Sequence, residues 1–321
     1  MPKALLPMSA FPESLLARPL WLAPMAGVTD RAFRTLCLRH GAGLTYSEMV
    51  SASGLFYAGE KTWRLTEPAP EERQLAVQLF GHDPALMARE ASEVAARLGQ
   101  RLAFIDVNMG CPVHKVVKKG EGSALMKTPG LAAEIVRAMV GACPDVPITV
   151  KFRSGWADGE VTAVEFAKRL EDAGAALVAV HGRSAEQMYR GRADWSVIAA
   201  VKEAVEVPVA GSGDVFSHAD AQAMLRECGV DAVLVARGAR GNPWLFEGVE
   251  PTPAERVAVM REHFELYVQF NGEGYLSPLR AQLPGYVHGF PGAAQFRRGL
   301  SEASTRADFE RLFDAAMGHV R

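Results

Sequence analysis

The stretch FIDVNMGCP, residues 104–112, contains the two features on which the fold prediction rests. An almost continuous apolar run comes first, and it ends in polar residues and a glycine turn. Such runs are typical of parallel strands that helices cover on the outside. Runs of this kind recur along the chain: 20–25, 44–49, 75–81, 104–110, 148–153, 176–182, 207–214 and 232–238.

Helical patterns separate most of these runs. Apolar residues recur at helical spacing in 29–40, 84–98, 129–141, 161–173, 196–205 and 217–227. Strand and helix that alternate in this way predict an α/β fold, a closed (β/α)8 TIM barrel. A doubly wound open sheet is the structural alternative, and it is disfavoured because no G-x-G-x-x-G turn follows the first run.

The pattern changes after residue 246. Helical spacing continues in 254–270, 293–302 and 306–319, with a glycine- and proline-rich stretch at 277–292 between them. We therefore predict two parts, a barrel catalytic domain at 1–246 and a small C-terminal helical domain at 247–321.

The composition is that of a globular enzyme. Of the 321 residues, 49% are apolar and 22% are charged. The four cysteines are far apart and form no C-x-x-C pair, so we expect neither a metal site nor a redox pair. We find no signal peptide and no membrane-spanning run, and we expect a cytoplasmic monomer. The net charge of −2 implies that any contact with nucleic acid depends on a local basic patch.

The active site of such a barrel lies at the carboxyl ends of its strands. Polar residues interrupt the apolar runs at that end again and again: Glu48, Gln78, Asn108, Lys151, His181, Asp214 and Arg237. One polar residue at a strand end can simply reach solvent, but convergence from this many strands predicts a site.

Three features of these strand ends indicate a flavin. Gly211, Gly213 and Gly238 would let the backbone approach a phosphate after strands 7 and 8, where Arg237 adds charge. Lys151 would stabilise the anionic reduced ring, whose amide edge could bind Gln78. Cys111, in a glycine turn three residues after Asn108, is a candidate acid or base.

At these residues the sequence resembles the tRNA-dihydrouridine synthases, and within them the bacterial B-type branch. The matching stretches are LAPMAGVTDRAFR (22–34), GAGLTYSEM (41–49), VQLFG (77–81), DVNMGCPVHKVVKKGEGSALM (106–126), VKFRSGW (150–156), VHGRSAEQMYRGRADW (180–195) and VARGARGNPWLF (235–246). They cover the whole barrel, and the NMGCP and HGR blocks together are highly specific.

The resemblance implies FMN as cofactor, NADPH or NADH as reductant and a uridine in tRNA as substrate. The residues that it implies for the cofactor are Pro24, Met25, Ala26, Gly27, Gln78, Lys151, His181, Ser212, Gly213, Asp214, Arg237 and Gly238. Asn108, Lys115 and Arg183 are implied for the substrate, with Lys115 and Arg183 contacting RNA or the flavin phosphate. Ser212 departs from the family, which usually has Asn there, and we expect a rearranged contact.

The resemblance also implies a mechanism. Flavin N5 delivers hydride to C6 of a flipped-out uracil, and Cys111 protonates C5. Basic residues at 115, 118, 119, 183, 190 and 192 would bind RNA near the site. Two other functions remain open, an FMN enzyme that reduces a free pyrimidine and a catalytically silent RNA-binding barrel.

Overall fold

Eight parallel strands close into a barrel in the order in which they occur along the chain. The computed structural model describes residues 11–289 and 291–318. The strands are β1 Leu20–Leu22, β2 Leu44–Ser51, β3 Leu75–Phe80, β4 Leu102–Met109, β5 Ile148–Arg153, β6 Leu177–His181, β7 Val209–Ser212 and β8 Ala232–Val235. The predicted TIM barrel is confirmed, and the open sheet is wrong because β1 pairs with β8.

The strands β1, β7 and β8 end two or three residues earlier than predicted, and local backbone chemistry accounts for each of these three ends. Pro24 follows β1 and has no N–H with which to extend the ladder. After β7, Gly213 and Asp214 both have positive φ, which is incompatible with a strand. After β8 the chain enters a 3₁₀ turn at Arg237–Ala239. These ends place the predicted site residues in the loops at the barrel mouth.

The helices are α1 Glu13–Leu16, α2 Arg31–Arg39, α3 Ala52–Ala58, α4 Glu60–Trp63, α5 Pro84–Leu98, α6 His114–Val117, α7 Pro129–Ala142, α8 Ala163–Glu171, α9 Trp195–Ala204, α10 His218–Cys228, α11 Pro253–Asn271, α12 Leu279–Gln282, α13 Ala293–Glu302 and α14 Arg306–Gly318. The predicted helices are all present in the part of the chain that the structure describes, although residue 319 of the last one lies outside it. The short α1, α3, α4, α6 and α12 were not predicted.

Alternate residues of each strand face the barrel interior, where two layers differ in polarity. The lower layer is apolar, and Trp21, Tyr46 and Phe104 pack there with Phe11 among small alanines. The upper layer is polar and lies at the carboxyl ends of the strands. Aromatic rings therefore fill the lower end of the barrel, and the polar side chains that could take part in catalysis lie at its mouth.

The C-terminal helices pack directly on the barrel. Ala32 and Leu36 of α2 and Trp244 share one buried apolar cluster with Met260 and Phe264 of α11. Arg31 Nη2 donates to the Phe270 carbonyl at 3.1 Å across the same contact. Apolar packing thus joins residues on both sides of the boundary predicted at 246. None of the helices within 11–289 and 291–318 has the length and apolarity needed to cross a bilayer.

Candidate active site

A line of buried hydrogen bonds runs across the barrel mouth from β5 to the turn after β4. Asp106 accepts at 2.6 Å from Thr149 Oγ1 on one carboxylate oxygen and at 2.6 Å from Gln78 Nε2 on the other. Gln78 Oε1 accepts from Asn108 Nδ2 at 2.8 Å. Asn108 Oδ1 accepts from the Cys111 N–H at 2.9 Å. The strand register therefore brings Gln78, Asn108 and Cys111 together, as predicted.

Asp106 was not predicted as a site residue. It is completely buried, and burial raises the pKa of its carboxyl to about 6 against the hydrogen bonds from Gln78 and Thr149 and the charge of Lys151. The signal in the sequence was an acidic residue inside the apolar run 104–110, which demands a buried partner.

Cys111 lies partly exposed at the barrel mouth, in a turn that leaves little room. A Cβ at Gly122, whose φ is +61°, would come within 2.7 Å of the Cys111 carbonyl oxygen. Burial raises the pKa of the Cys111 thiol, while the Val113 N–H and the charges of Arg153 and Lys151 oppose this rise. The thiol is therefore protonated at neutral pH, as a proton donor must be.

At the barrel mouth, Lys151 is a cationic hydrogen-bond donor and His181 is a neutral one. Burial and the charge of Arg153 lower the pKa of Lys151 to about 8. Burial, followed by Lys151 and Arg153, holds the pKa of His181 well below its usual value. The Arg183 N–H donates to His181 Nδ1 at 3.1 Å, so the ring proton of the neutral imidazole is on Nε2. His181 can thus donate one hydrogen bond from Nε2 to a ligand.

Arg153 is a second residue that the sequence reasoning did not assign. Its side chain is buried, and it donates to the Gly110 carbonyl at 2.7 Å and to the Ser184 and Met188 carbonyls at 2.9 Å each. Because these carbonyls belong to the loops after β4 and β6, Arg153 fixes the Cys111 turn relative to the HGR loop. Burial lowers its pKa to about 10, so it remains charged at neutral pH.

A small polar pocket follows β6, β7 and β8. Its lining includes the predicted residues His181, Ser212, Gly213, Asp214 and Arg237. Gly213 has φ +123°, and a Cβ there would lie 2.7 Å from Ala193 Cβ. Gly238 supports the loop instead, since a Cβ there would come within 2.2 Å of the Val215 oxygen. Gly211 faces α10, where a Cβ would meet Met224.

Ion pairs organise this pocket. Arg183 Nη2 donates to both carboxylate oxygens of Asp214 at 2.8 Å, and Arg237 lies 3.4 Å from the same carboxylate. Burial alone would raise the pKa of Asp214, but the Ala193 N–H and Arg183 lower it. Two arginines against one carboxylate leave the pocket with a surplus of positive charge.

Arg183, which the resemblance implies for contact with RNA or the flavin phosphate, is buried beside this pocket. The residue is only 2% exposed, and its Nε donates to the Arg190 carbonyl. Its Nη1 is buried without a hydrogen-bond partner among residues 11–289 and 291–318. Such an orphaned donor beside a cationic pocket fits a bound anion. Lys115, by contrast, is exposed on α6, four residues after Cys111.

The loop after β1 closes the other side of the mouth. Pro24 and Met25 are partly buried, whereas Ala26 and Gly27 are exposed. Gly27 has φ +72°, its N–H donates to Glu48 Oε2 at 2.5 Å, and its carbonyl accepts from Gln282 Nε2 at 3.0 Å. A residue of the C-terminal helices therefore holds the turn that was predicted to wall the flavin.

These contacts suit a long ligand that has a polar ring at one end and an anionic group at the other. The amide groups of Gln78 and Asn108 and the amine of Lys151 lie where they could bind the ring. The cationic pocket after β6, β7 and β8 could bind the anionic group. Ser212 Oγ donates weakly, at 3.4 Å, to the Leu234 carbonyl inside the barrel wall. The residues present therefore fit FMN. Within 11–289 and 291–318, no three His, Cys, Asp or Glu side chains are grouped to bind a metal ion.

A (β/α)8 barrel with polar strand ends of this kind defines a barrel enzyme, and the comparisons identify it as an oxidoreductase. A sequence model described as "Dihydrouridine synthase (Dus)" matches residues 21–319. The chain belongs to the dihydrouridine synthase family.

Curated relatives support this membership over most of the chain. "Probable tRNA-dihydrouridine synthase 1" of Synechocystis sp. is 40% identical over 311 residues, 93% of this chain and 86% of the relative. "tRNA-dihydrouridine synthase B" of Shewanella oneidensis is 42% identical over 272 residues, 80% of this chain and 83% of the relative. Among solved structures, histamine dehydrogenase from Rhizobium sp. 4-9 shares the fold, with a TM-score of 0.54 at 13% identity over 77% of this chain and 49% of that one.

Proposed function

We propose that the chain is an FMN-dependent tRNA-dihydrouridine synthase, which uses NADPH or NADH to reduce the C5=C6 bond of a specific uridine in tRNA. The observation that carries the proposal is the place of Cys111 at the barrel mouth, in a turn whose N–H donates to Asn108 Oδ1 and within reach of the charge of Lys151. The names of the curated relatives point to the same activity.

The residues at the mouth divide into two groups. We assign ring binding to Gln78, Lys151 and His181, with the loop Pro24 to Gly27 as a wall. We assign the phosphate end to the pocket formed by Ser212, Gly213, Asp214 and Arg237, which Gly238 supports. FMN, when bound, would supply the hydride that goes to C6 of the uracil.

Cys111 supplies the proton. Burial keeps its thiol neutral, so the proton is available for C5 as the hydride reaches C6. The thiolate left behind is stabilised by the charges of Lys151 and Arg153, which already oppose the rise of its pKa. The same two residues thus favour proton release without ionising the resting thiol. Asn108 would contact the uracil through its amide.

The uridine must leave its stack to reach this depth, and exposed residues around the mouth would hold the surrounding RNA. Lys115, Lys118 and Lys119 are exposed beside the Cys111 turn. Arg190 and Arg192 are exposed in the loop after β6. These local patches compensate for the net charge of −2.

We further propose that the C-terminal helical part, 247–321, contacts the body of the tRNA. Arg297 and Arg298 are exposed on α13 and offer charges for phosphates. Replacing both with Glu should weaken tRNA binding while the rate of flavin reduction by NADPH is unchanged. If the variant binds tRNA as tightly as the wild type, α13 is not part of the tRNA-binding surface.

A reoxidation experiment tests the proposed function. The FMN-loaded protein is reduced with NADPH under anaerobic conditions and mixed with unmodified tRNA transcript, with free uracil or with orotate. Recovery of the absorbance of oxidised flavin with the transcript alone supports a tRNA-dihydrouridine synthase. Recovery with a free pyrimidine alone would replace it with a free-pyrimidine reductase.

A further inference from the structure

Asp106 is the one carboxylate in the hydrogen-bond line across the mouth, and the links toward Cys111 follow from it. Thr149, Asp106 and Gln78 are completely buried, and Asn108 is 7% exposed. None of these groups can exchange partners with bulk water, so each must be satisfied by its neighbours. The direction in which each amide points is therefore decided inside the line.

A carboxylate can only accept hydrogen bonds. Gln78 must therefore present Nε2 to Asp106, which directs its Oε1 toward Asn108. Asn108 in turn presents Nδ2 to that oxygen, and its Oδ1 is left to face the following turn. An amide can be rotated by 180° with little change in shape, so Asp106 at one end of the line and the Gly110 and Cys111 N–H groups at the other end fix these two orientations together.

The last acceptor in the line holds the turn that carries the thiol. Asn108 Oδ1 accepts from the N–H of Gly110 at 3.2 Å and from the N–H of Cys111 at 2.9 Å. If Asn108 were rotated, its NH₂ would face these two N–H groups, and both would lose their acceptor. Burial raises the pKa of Asp106 to about 6, so at neutral pH the group is mainly the acceptor that the line requires.

We propose that Asp106 is a positioning residue, which sets the orientation of the Gln78 and Asn108 amides and through them fixes the Cys111 turn. It contacts no reacting atom itself. The assignment of a role to Cys111 rests on the proposed function, whereas the link from Asp106 to the turn rests on the hydrogen bonds alone.

Hydrogen exchange at the Gly110 and Cys111 amides, resolved by fragmentation of the peptide, measures the turn without any need for activity. Asp106→Leu removes the acceptor at similar size, and exchange at these two amides should become about tenfold faster. Asp106→Asn should stay near the wild type, because its oxygen can accept from Gln78 while its NH₂ donates to the Thr149 hydroxyl. This rescue separates the acceptor from the negative charge.

Thr149→Val is the matched control. It removes the hydrogen bond to Asp106 on the side away from Cys111 and leaves the links from Asp106 to Cys111 intact. The proposal would be overturned if the Gly110 and Cys111 amides were as well protected from exchange in Asp106→Leu as in the wild type. It would also be overturned if these amides exchanged faster in Thr149→Val. If Asp106→Leu does not fold, Gln78→Met can replace it, because this substitution breaks the connection between Asp106 and Asn108. Unchanged protection of the two amides in Gln78→Met would likewise overturn the proposal.

The half-reactions connect the turn to catalysis. In Asp106→Leu, reoxidation of the reduced flavin by tRNA should slow by about 10²-fold, the size of a general-acid contribution. Reduction by NADPH should slow less than reoxidation, because it involves the contact of Gln78 with the flavin ring but not Cys111. A wild-type enzyme that fails to reduce tRNA would contradict the proposed function, and the exchange experiment would still decide the role of Asp106.

Discussion

The charge of Lys151 opposes the rise of the Cys111 pKa, and each of these two residues has a pKa that suits a separate task. Burial keeps the proton on Cys111, and burial brings the pKa of Lys151 down to about 8. In the proposed mechanism, Cys111 donates the proton and Lys151 stabilises negative charge at the same barrel mouth. Substitutions at these two positions should therefore affect different steps.

Replacing Cys111 with Ala should slow dihydrouridine formation by about 10²–10⁴-fold, because the proton donor is lost. Reduction of the flavin by NADPH should be unchanged. Both rates can be followed separately by stopped-flow absorbance of the flavin. Cys228→Ala is the control, since Cys228 is buried at the end of α10. Wild-type turnover in Cys111→Ala would exclude it as the acid.

The affinity of the apoprotein for FMN should depend on pH through Lys151. Its folded pKa of about 8 lies below the usual value, so the charge is present below pH 8 and is lost above it. Between pH 8 and pH 9.5, affinity should fall by up to about tenfold per pH unit. Quenching of FMN fluorescence measures it. Lys151→Met should bind more weakly at pH 7 and show no such fall, and a parallel decline in the variant would contradict this role.

At the scale of elements, the turn after β1 depends on a residue that is distant in sequence. Gln282 of α12 donates to the Gly27 carbonyl at 3.0 Å and to Asp30 Oδ2 at 2.9 Å. Asp30 caps the N-terminus of α2 by accepting from the Phe33 N–H. Gln282 therefore links the C-terminal helices to the wall of the proposed flavin site.

Gln282→Leu should release the Gly27 peptide and weaken FMN binding roughly fivefold, about the effect of one lost hydrogen bond. Fluorescence titration of the apoprotein measures the affinity. Arg240→Ala is the matched control, because it removes a bond to the neighbouring Ala281 carbonyl but does not touch the turn. If Gln282→Leu binds FMN as tightly as the wild type, the turn after β1 keeps its conformation without Gln282.

We expect the α6 segment to contribute to tRNA binding through electrostatic attraction. Replacing Lys115, Lys118 and Lys119 with Ala should weaken tRNA binding and flatten its salt dependence by about 0.7–0.9 in log–log slope per lost phosphate contact. Filter binding over a series of salt concentrations measures both. Lys168→Ala on α8 should change neither. A lower affinity with an unchanged slope would mean that these lysines do not contact phosphates.

The sequence predicted the strands well because apolar runs covered by helices are a local signal. The polar residue near the end of each run predicted the candidate site, and the structure places Gln78, Lys151 and His181 at the barrel mouth. It did not predict α3 and α4, short helices with few buried positions. It could not reveal the contact of Gln282 with Gly27, because 255 residues separate them and only tertiary packing brings them together.

At the scale of the whole molecule, barrel and C-terminal helices share one apolar cluster. Trp244, Leu36 and Phe264 are buried within it, so removal of 247–321 would expose the outer face of α2 to water. Truncation would therefore also disturb the packing of α2, and the proposed contribution of the C-terminal part to tRNA binding is better measured by surface substitutions. Contact with the Gly27 turn couples the two parts further.

The most direct test of the function of the whole molecule is the product itself. The purified protein is incubated with FMN, NADPH and unmodified tRNA transcript, and dihydrouridine is quantified by mass after digestion of the RNA. Free uracil and orotate are incubated in parallel. We predict dihydrouridine in the tRNA, at a defined position, and no reduction of the free pyrimidines. Reduction of a free pyrimidine with no dihydrouridine in the tRNA would contradict the assignment.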